Sequence, residues 1–376
     1  MTIQQILAAV FVFGLMIFFH ELGHFSLAKL AGIQVYEFSI GFGSRLAGFR
    51  RGGTVYNLRA LPLGGFVRMA GMDPEEDRRE AIKRHREMID EGISDDAPEG
   101  DIDPACRIDR DRCFSNKSVV KRMLVIAAGP LMNFFLAILL FSTVIGIFGI
   151  PVNLREAGSN VVGKVLPDRP ADEAGIRRGD RIIEINGRKV ETWEQITNII
   201  HKNPGKEVQL TVVRDGISKK IEVTPVYDEE NKVGLIGMHP STKKTGLVGA
   251  VKLGTVQTYE TLALTLDFLG KMFTKEVPLG ELGGPVRITS ELGKAAEMGP
   301  FYLLSFAGFL NIQIGLFNLL PIPALDGSRI VFLAFEGLRG RPVDPTKENF
   351  IHLVGLGLLI LLIVVITYRD IVQILS

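Results

Sequence analysis

Residues 3–30 read IQQILAAVFVFGLMIFFHELGHFSLAKL, and this stretch decides the fold. No charged side chain occurs from Ile3 to Phe19, and His20-Glu21-Leu22-Gly23-His24 follows at once. A run of this length and apolarity is long enough to cross a bilayer as a helix. Two imidazoles and a carboxylate in hydrocarbon are costly unless they bind something or line a wet cavity. Positions i and i+4 share one helix face, so His20 and His24 can grip one ion. Glu21 lies beside them and can take a proton from a metal-bound water. The stretch points to hydrolysis carried out within a membrane.

The rest of the chain extends this reading. Of 376 residues, 47% are hydrophobic, and they fall in blocks. The spacing predicts four spans of about 20 residues or more. They lie in segments 1–32, 118–150, 300–328 and 349–370, the last almost purely Leu, Ile, Val and Gly. The N-terminus has neither a basic flank nor a small-residue cleavage site, so the first segment reads as a retained span. Arg45, Arg50, Arg51, Arg59, Arg68, Lys117, Lys121 and Arg122 crowd the loop between the first two spans. Arg329, Arg339, Arg341 and Lys347 crowd the 329–348 loop between the last two. By the positive-inside rule both loops are cytoplasmic and both termini are extracytoplasmic. A net charge of +1 gives nucleic-acid binding no electrostatic support.

Three polar regions separate the spans. Segment 33–117 holds TVYNLRALPLGGFVR at 54–68, read as a membrane-associated β-hairpin turning at Gly64-Gly65. It also holds a charged insertion at 73–111, read as solvated, with His85 as a surface residue. Cys106 and Cys113 fall on the cytoplasmic side and read as free thiols. Segment 155–240 alternates like an α+β domain, with an Asn186-Gly187 turn. Its PADEAGIRRGDRIIEINGRKVETWEQI stretch resembles a PDZ domain of the bacterial protease type. Such domains take up peptides by strand addition, and Gly234-Leu235-Ile236-Gly237 reads either as the binding loop or as an ordinary strand end. Segment 245–298 reads as an amphipathic interfacial stretch.

A pair of histidines leaves a catalytic metal one protein ligand short. Asn318-Leu319-Leu320-Pro321-Ile322-Pro323-Ala324-Leu325-Asp326-Gly327 offers the third. Pro321 and Pro323 break the helix, which is tolerable at membrane depth only beside protein or a cavity. Asp326 then stands on irregular backbone and can turn inward. Together with His-Glu-x-x-His, this motif is similar to that of the bacterial site-2 protease family, in its RseP-like branch. PLGGFV at 62–67, AGPLMN at 128–133 and LGGPV at 282–286 carry the same resemblance in order. One PDZ-like domain and the charged insertion depart from the best-known pattern.

The resemblance implies a mainly α-helical, polytopic protein of the bacterial cytoplasmic (inner) membrane, with the PDZ-like domain outside. It implies Zn2+ held by His20, His24 and Asp326, with Glu21 as general base. It implies single-span substrates such as anti-sigma factors or signal-peptide remnants. A substrate helix must unwind before attack, and its strand then needs backbone partners. The Gly64-Gly65 hairpin offers an edge, the Asn318 amide can hold the backbone, and Pro321 and Pro323 shape the same place. A peptide tail can dock on the PDZ-like domain. The rival readings are a membrane-embedded PDZ scaffold with a non-catalytic metal site, and a metal transporter.

Overall fold

The computed structural model describes residues 2–72, 102–103, 108–151, 158–229, 232–274 and 283–375. Most of the expected 73–111 insertion, including His85 and Cys106, lies outside these residues, as does Leu282. The chain forms two compact units, Met1–Ser142 with Val251–Ser376, and Thr143–Ala250.

In the first unit, helix α1 (Ile3–Leu30) starts with a capping box between Thr2 and Gln5. Strands β1 (Val35–Arg51) and β2 (Thr54–Met69) follow. Next come α2 (Val119–Phe148), α3 (Leu247–Phe273), α4 (Pro285–Met298), α5 (Pro300–Leu319), α6 (Asp326–Arg339) and α7 (Pro345–Leu375). Among the described residues four helices are long and apolar enough to cross a membrane: α1, α2, α5 and α7.

The strands differ from the expected 54–68 hairpin. Residues 54–69 form one long strand, and the turn sits at Gly52-Gly53, with φ of +58° and +76°. Two consecutive positive-φ residues suit a tight hairpin, which two glycines adopt without strain. Gly64-Gly65 is instead a bend inside β2. Glu37 to Ile40 is paired on both edges, with Gly65 to Arg68 on one and Val55 to Leu58 on the other. Residues 65–69 therefore lie at a sheet edge, and no further strand pairs there among the described residues.

Buried Ala9, Val12 and Met16 of α1 pack with Leu136, Leu140, Leu292, Ala307 and Leu310, joining α1, α2, α4 and α5. A second cluster joins the end of α1, the outer ends of both strands, the start of α2 and Leu333 of α6. Glycines set the spacing, as at other close helix contacts in membranes. A methyl group on Gly23 would strike the Ala128 carbonyl, and one on Gly129 would strike the His24 ring. Two further differences concern the C-terminal half. The third span ends at Leu319, and the 329–348 loop opens inside helix α6. The 245–298 stretch is two helices, α3 and α4. Cys113 is buried and disulfide-bonded, not a free thiol.

The second unit has a four-stranded antiparallel sheet. Ile217–Val223 pairs with Val208–Arg214, which pairs with Arg181–Ile185, followed by Arg188–Lys189. The amphipathic helix Trp193–His201 covers it, burying Trp193, Ile196 and Ile200. Gly234 lies in a short strand and Gly237 in a positive-φ turn before Met238–Pro240.

Candidate metal centre

α1 brings His20, Glu21 and His24 to one level, and α2 and α6 close around them. Leu319 ends α5, and a non-helical turn over Pro321 and Pro323 leads to Asp326, the first residue of α6. Within this turn Ala324 has φ +75°, and its amide donates to His352 Nδ1 at 3.0 Å. A methyl group on Gly327 would meet the Leu319 and Leu320 carbonyls, so glycine is required for the turn to fold this tightly.

His20 Nε2, His24 Nε2 and Asp326 Oδ2 form a small triangle. The two nitrogens are 3.3 Å apart, and the carboxylate oxygen lies 3.2 Å from His20 and 3.3 Å from His24. Tetrahedral ligands about 2.0–2.1 Å from one zinc ion are separated by about 3.3 Å, so the donors fit. Asp326 Oδ2 is buried without a hydrogen-bond donor, which a cation at the triangle's centre would satisfy.

The surroundings orient both rings. His24 Nδ1 lies 2.9 Å from the Val125 carbonyl, so Nδ1 carries the proton and Nε2 offers its lone pair. Pro130 removes one helical hydrogen bond from this part of α2. His20 Nδ1 lies 3.3 Å from the Asn133 amide nitrogen, while buried Asn133 Oδ1 has no partner. Rotating this amide by half a turn presents oxygen to an Nδ1–H and leaves His20 Nε2 as a donor. Gly129 and Asn133 stand at i,i+4 on α2, a spacing that by itself points only to helix packing. An amide in an apolar span was the signal available in the sequence for a larger role.

A cavity of about 350 Å³ opens beside the triangle. His20, Glu21, His24 and Asp326 line it, together with Gly65 to Met69 from the sheet edge and Arg329. A methyl group on Gly65 would lie 2.7 Å from Glu21 Cγ, so glycine makes room for the carboxylate. Glu37 stiffens the sheet from behind. Its buried carboxylate accepts from Ser39 at 2.5 Å, Asn57 at 2.6 Å and Arg59 at 2.6 Å, and Arg68 lies at 3.2 Å.

Of the residues expected to face substrate, Gly65 lines the cavity and Gly64 adjoins it. Asn318, Pro321 and Pro323 are absent from its lining. The Asn318 amide donates to the Ile314 carbonyl one turn back, at 3.1 Å. Pro323 packs against Gly355 of α7, where a methyl group would clash.

Three convergent donors, a neighbouring carboxylate and a strand edge, all among membrane-length helices, define a membrane-embedded metallohydrolase. The family comparison gives the class: residues 8–362 match the model of peptidase family M50. The chain belongs to this family and is a site-2-type metalloprotease. Zinc metalloprotease RasP of Geobacillus kaustophilus is 37% identical, covering 98% of both chains. The regulator of sigma-W protease RasP of Bacillus subtilis is 36% identical over 99% of both. Zinc metalloprotease RasP of Oceanobacillus iheyensis is 32% identical, covering 97% of this chain and 98% of its own. Among solved structures, the PDZ domain of a Listeria monocytogenes SdrC-like protein aligns with 23% of this chain at 20% identity, with a TM-score of 0.21.

Proposed function

We propose that the chain is a zinc endopeptidase that cleaves single-span membrane proteins within or near their membrane segments. The observation that carries this is the triangle of His20, His24 and Asp326, with edges of 3.2–3.3 Å beside buried Glu21. Zinc, when bound, lowers the pKa of water to about 7 and polarises the scissile carbonyl. Glu21 accepts the proton of the attacking water and passes it to the leaving amine. Val125 and Asn133 hold the two imidazoles in the ligating tautomer.

The unwound substrate adds as a strand along Gly65 to Met69, whose outer edge carries no other strand among the described residues. Gly64 bends β2 into this position. Asn318, Pro321 and Pro323 act through the turn that delivers Asp326, since none lines the cavity. The sigma-W regulatory role in the name of the Bacillus subtilis relative supports anti-sigma-factor-like substrates. The protein sits in the cytoplasmic membrane with its termini and PDZ-like domain outside, a placement that the loop arginines and lysines support. A scaffold with a non-catalytic metal site has less support, because a structural site has no use for a buried base beside its ligands.

Glu21→Gln is the direct test, read by zinc stoichiometry and by cleavage of a single-span substrate in detergent. The expected result is metal content like that of the wild type, with cleavage reduced by at least about a hundredfold. Normal turnover by Glu21→Gln would overturn the mechanism.

A further inference from the structure

The cavity wall holds two arginines that the hydrolytic scheme does not use. Arg68 leans on Glu37 at 3.2 Å. Arg329 is half-buried and has no hydrogen bond or ion pair among the described residues. It lies three residues beyond Asp326 on α6, so both project from one face. Asp326 does not neutralise it, because the buried Oδ2 faces the two imidazoles. A guanidinium kept in a partly desolvated wall without a counter-charge is costly, and such a group in a cavity wall marks a binding site.

The charge balance specifies the ligand. With a divalent ion in the triangle, Glu21 and Asp326 offset its two charges, and Glu37 is shared by Arg59 and Arg68 behind the sheet edge. Arg329 lines the cavity with no carboxylate partner among the described residues. We propose that Arg329 binds a carboxylate of the peptide held in this cavity, and that this carboxylate is the one the reaction creates. Peptide hydrolysis breaks a C–N bond, forms a C–O bond from water, and releases an amine and a new α-carboxylate. The guanidinium fork matches a carboxylate in a two-bond geometry that lysine's ammonium does not reproduce. Arg329 is thus a product-side and specificity residue of the proteolytic site proposed above, and the inference rests on that reading.

The test measures peptide binding to full-length, zinc-loaded Glu21→Gln protein in detergent. The probes are a blocked apolar tetrapeptide with a free C-terminal carboxylate, its C-terminal amide, and an amide carrying one internal glutamate. The expected result is preference for the free carboxylate over the amide. Adding Arg329→Gln should cut that preference about tenfold, and Arg329→Lys should cut it less. Equal amide binding by all variants reports an intact cavity, and the lysine variant serves if the glutamine variant does not fold. Loss confined to the glutamate peptide overturns the product-side assignment and moves the carboxylate to a substrate side chain. A preference that survives both substitutions overturns the inference. Wild-type cleavage of a membrane substrate is scored separately, so failure of the protease reading is not mistaken for failure of the Arg329 reading.

Discussion

His24 Nδ1 and the Val125 carbonyl are 2.9 Å apart, and this contact selects which nitrogen faces the metal. His20 depends in the same way on Asn133, which has no exposed surface. Losing such a partner leaves the ligand in place but frees its ring and tautomer. Asn133→Leu is therefore expected to weaken zinc binding by roughly ten- to a hundredfold, measured against a competing chelator. An affinity equal to that of the wild type would show that packing alone orients His20. The three proposed ligands were legible in the sequence as candidates because two lie at helical spacing and the third follows a helix-breaking proline pair. Their supports were not, since Val125 and Asn133 stand 101 and 113 residues from the rings they hold.

At the scale of elements, helix ends and ion pairs carry the argument. α4 begins after Gly284, which has no side chain to cap it. Asp370, from the far end of α7, accepts instead from the Gly284 and Arg287 amides at 3.3 and 3.0 Å. A methyl group on Gly284 would crowd that carboxylate, which gives the glycine of the GGPV stretch its reason. Asp370→Ala is expected to cost about 1–2 kcal/mol, read as a lower Tm in detergent. Asp370→Asn keeps one acceptor and should cost less.

In the PDZ-like unit the fully buried Asp180 forms a two-bond pair with Arg214, each contact 2.7 Å, and accepts from the Arg177 amide. Burial alone would raise its pKa, but the Arg214 and Arg177 bonds outweigh burial and lower it. A lowered carboxylate pKa gives stability that is complete above the unfolded value near 4 and is lost as pH falls below it. Hydrogen exchange of the sheet amides in the full chain should show this acid loss. Arg214→Met leaves burial to raise the Asp180 pKa, so it should reverse the pH dependence and destabilise the domain by about 3 kcal/mol at neutral pH. The misread turn belongs to this scale too. Gly52-Gly53 joins two strands directly, whereas Gly64-Gly65 bends one strand around Glu21. Glycine pairs alone do not distinguish a reversal from a close approach.

For the whole molecule, the question is how substrates are chosen. The site lies in a membrane-embedded unit, and the PDZ-like unit interrupts that unit between Ser142 and Val251. Under the topology proposed above, a folded domain inserted there would exclude bulky partners and admit trimmed ones. Replacing residues 160–230 with a short linker is expected to allow cleavage of an unclipped substrate, scored by fragment accumulation in cells. Selectivity unchanged by the deletion would count against the filter.

By itself the sequence determined which runs are long and apolar enough to cross a membrane and which side chains are candidates to bind metal. Those properties are local: an apolar run of fixed length, two histidines one helical turn apart, a proline-broken end with an aspartate. Only the tertiary structure decided that three donors lie 3.2–3.3 Å apart. It alone showed that a strand edge runs beside them and that Arg329 faces the cavity without a counter-charge among the described residues. The reason is physical. Register, burial and charge compensation are set by groups more than a hundred residues apart, and they exist only once the helices have packed.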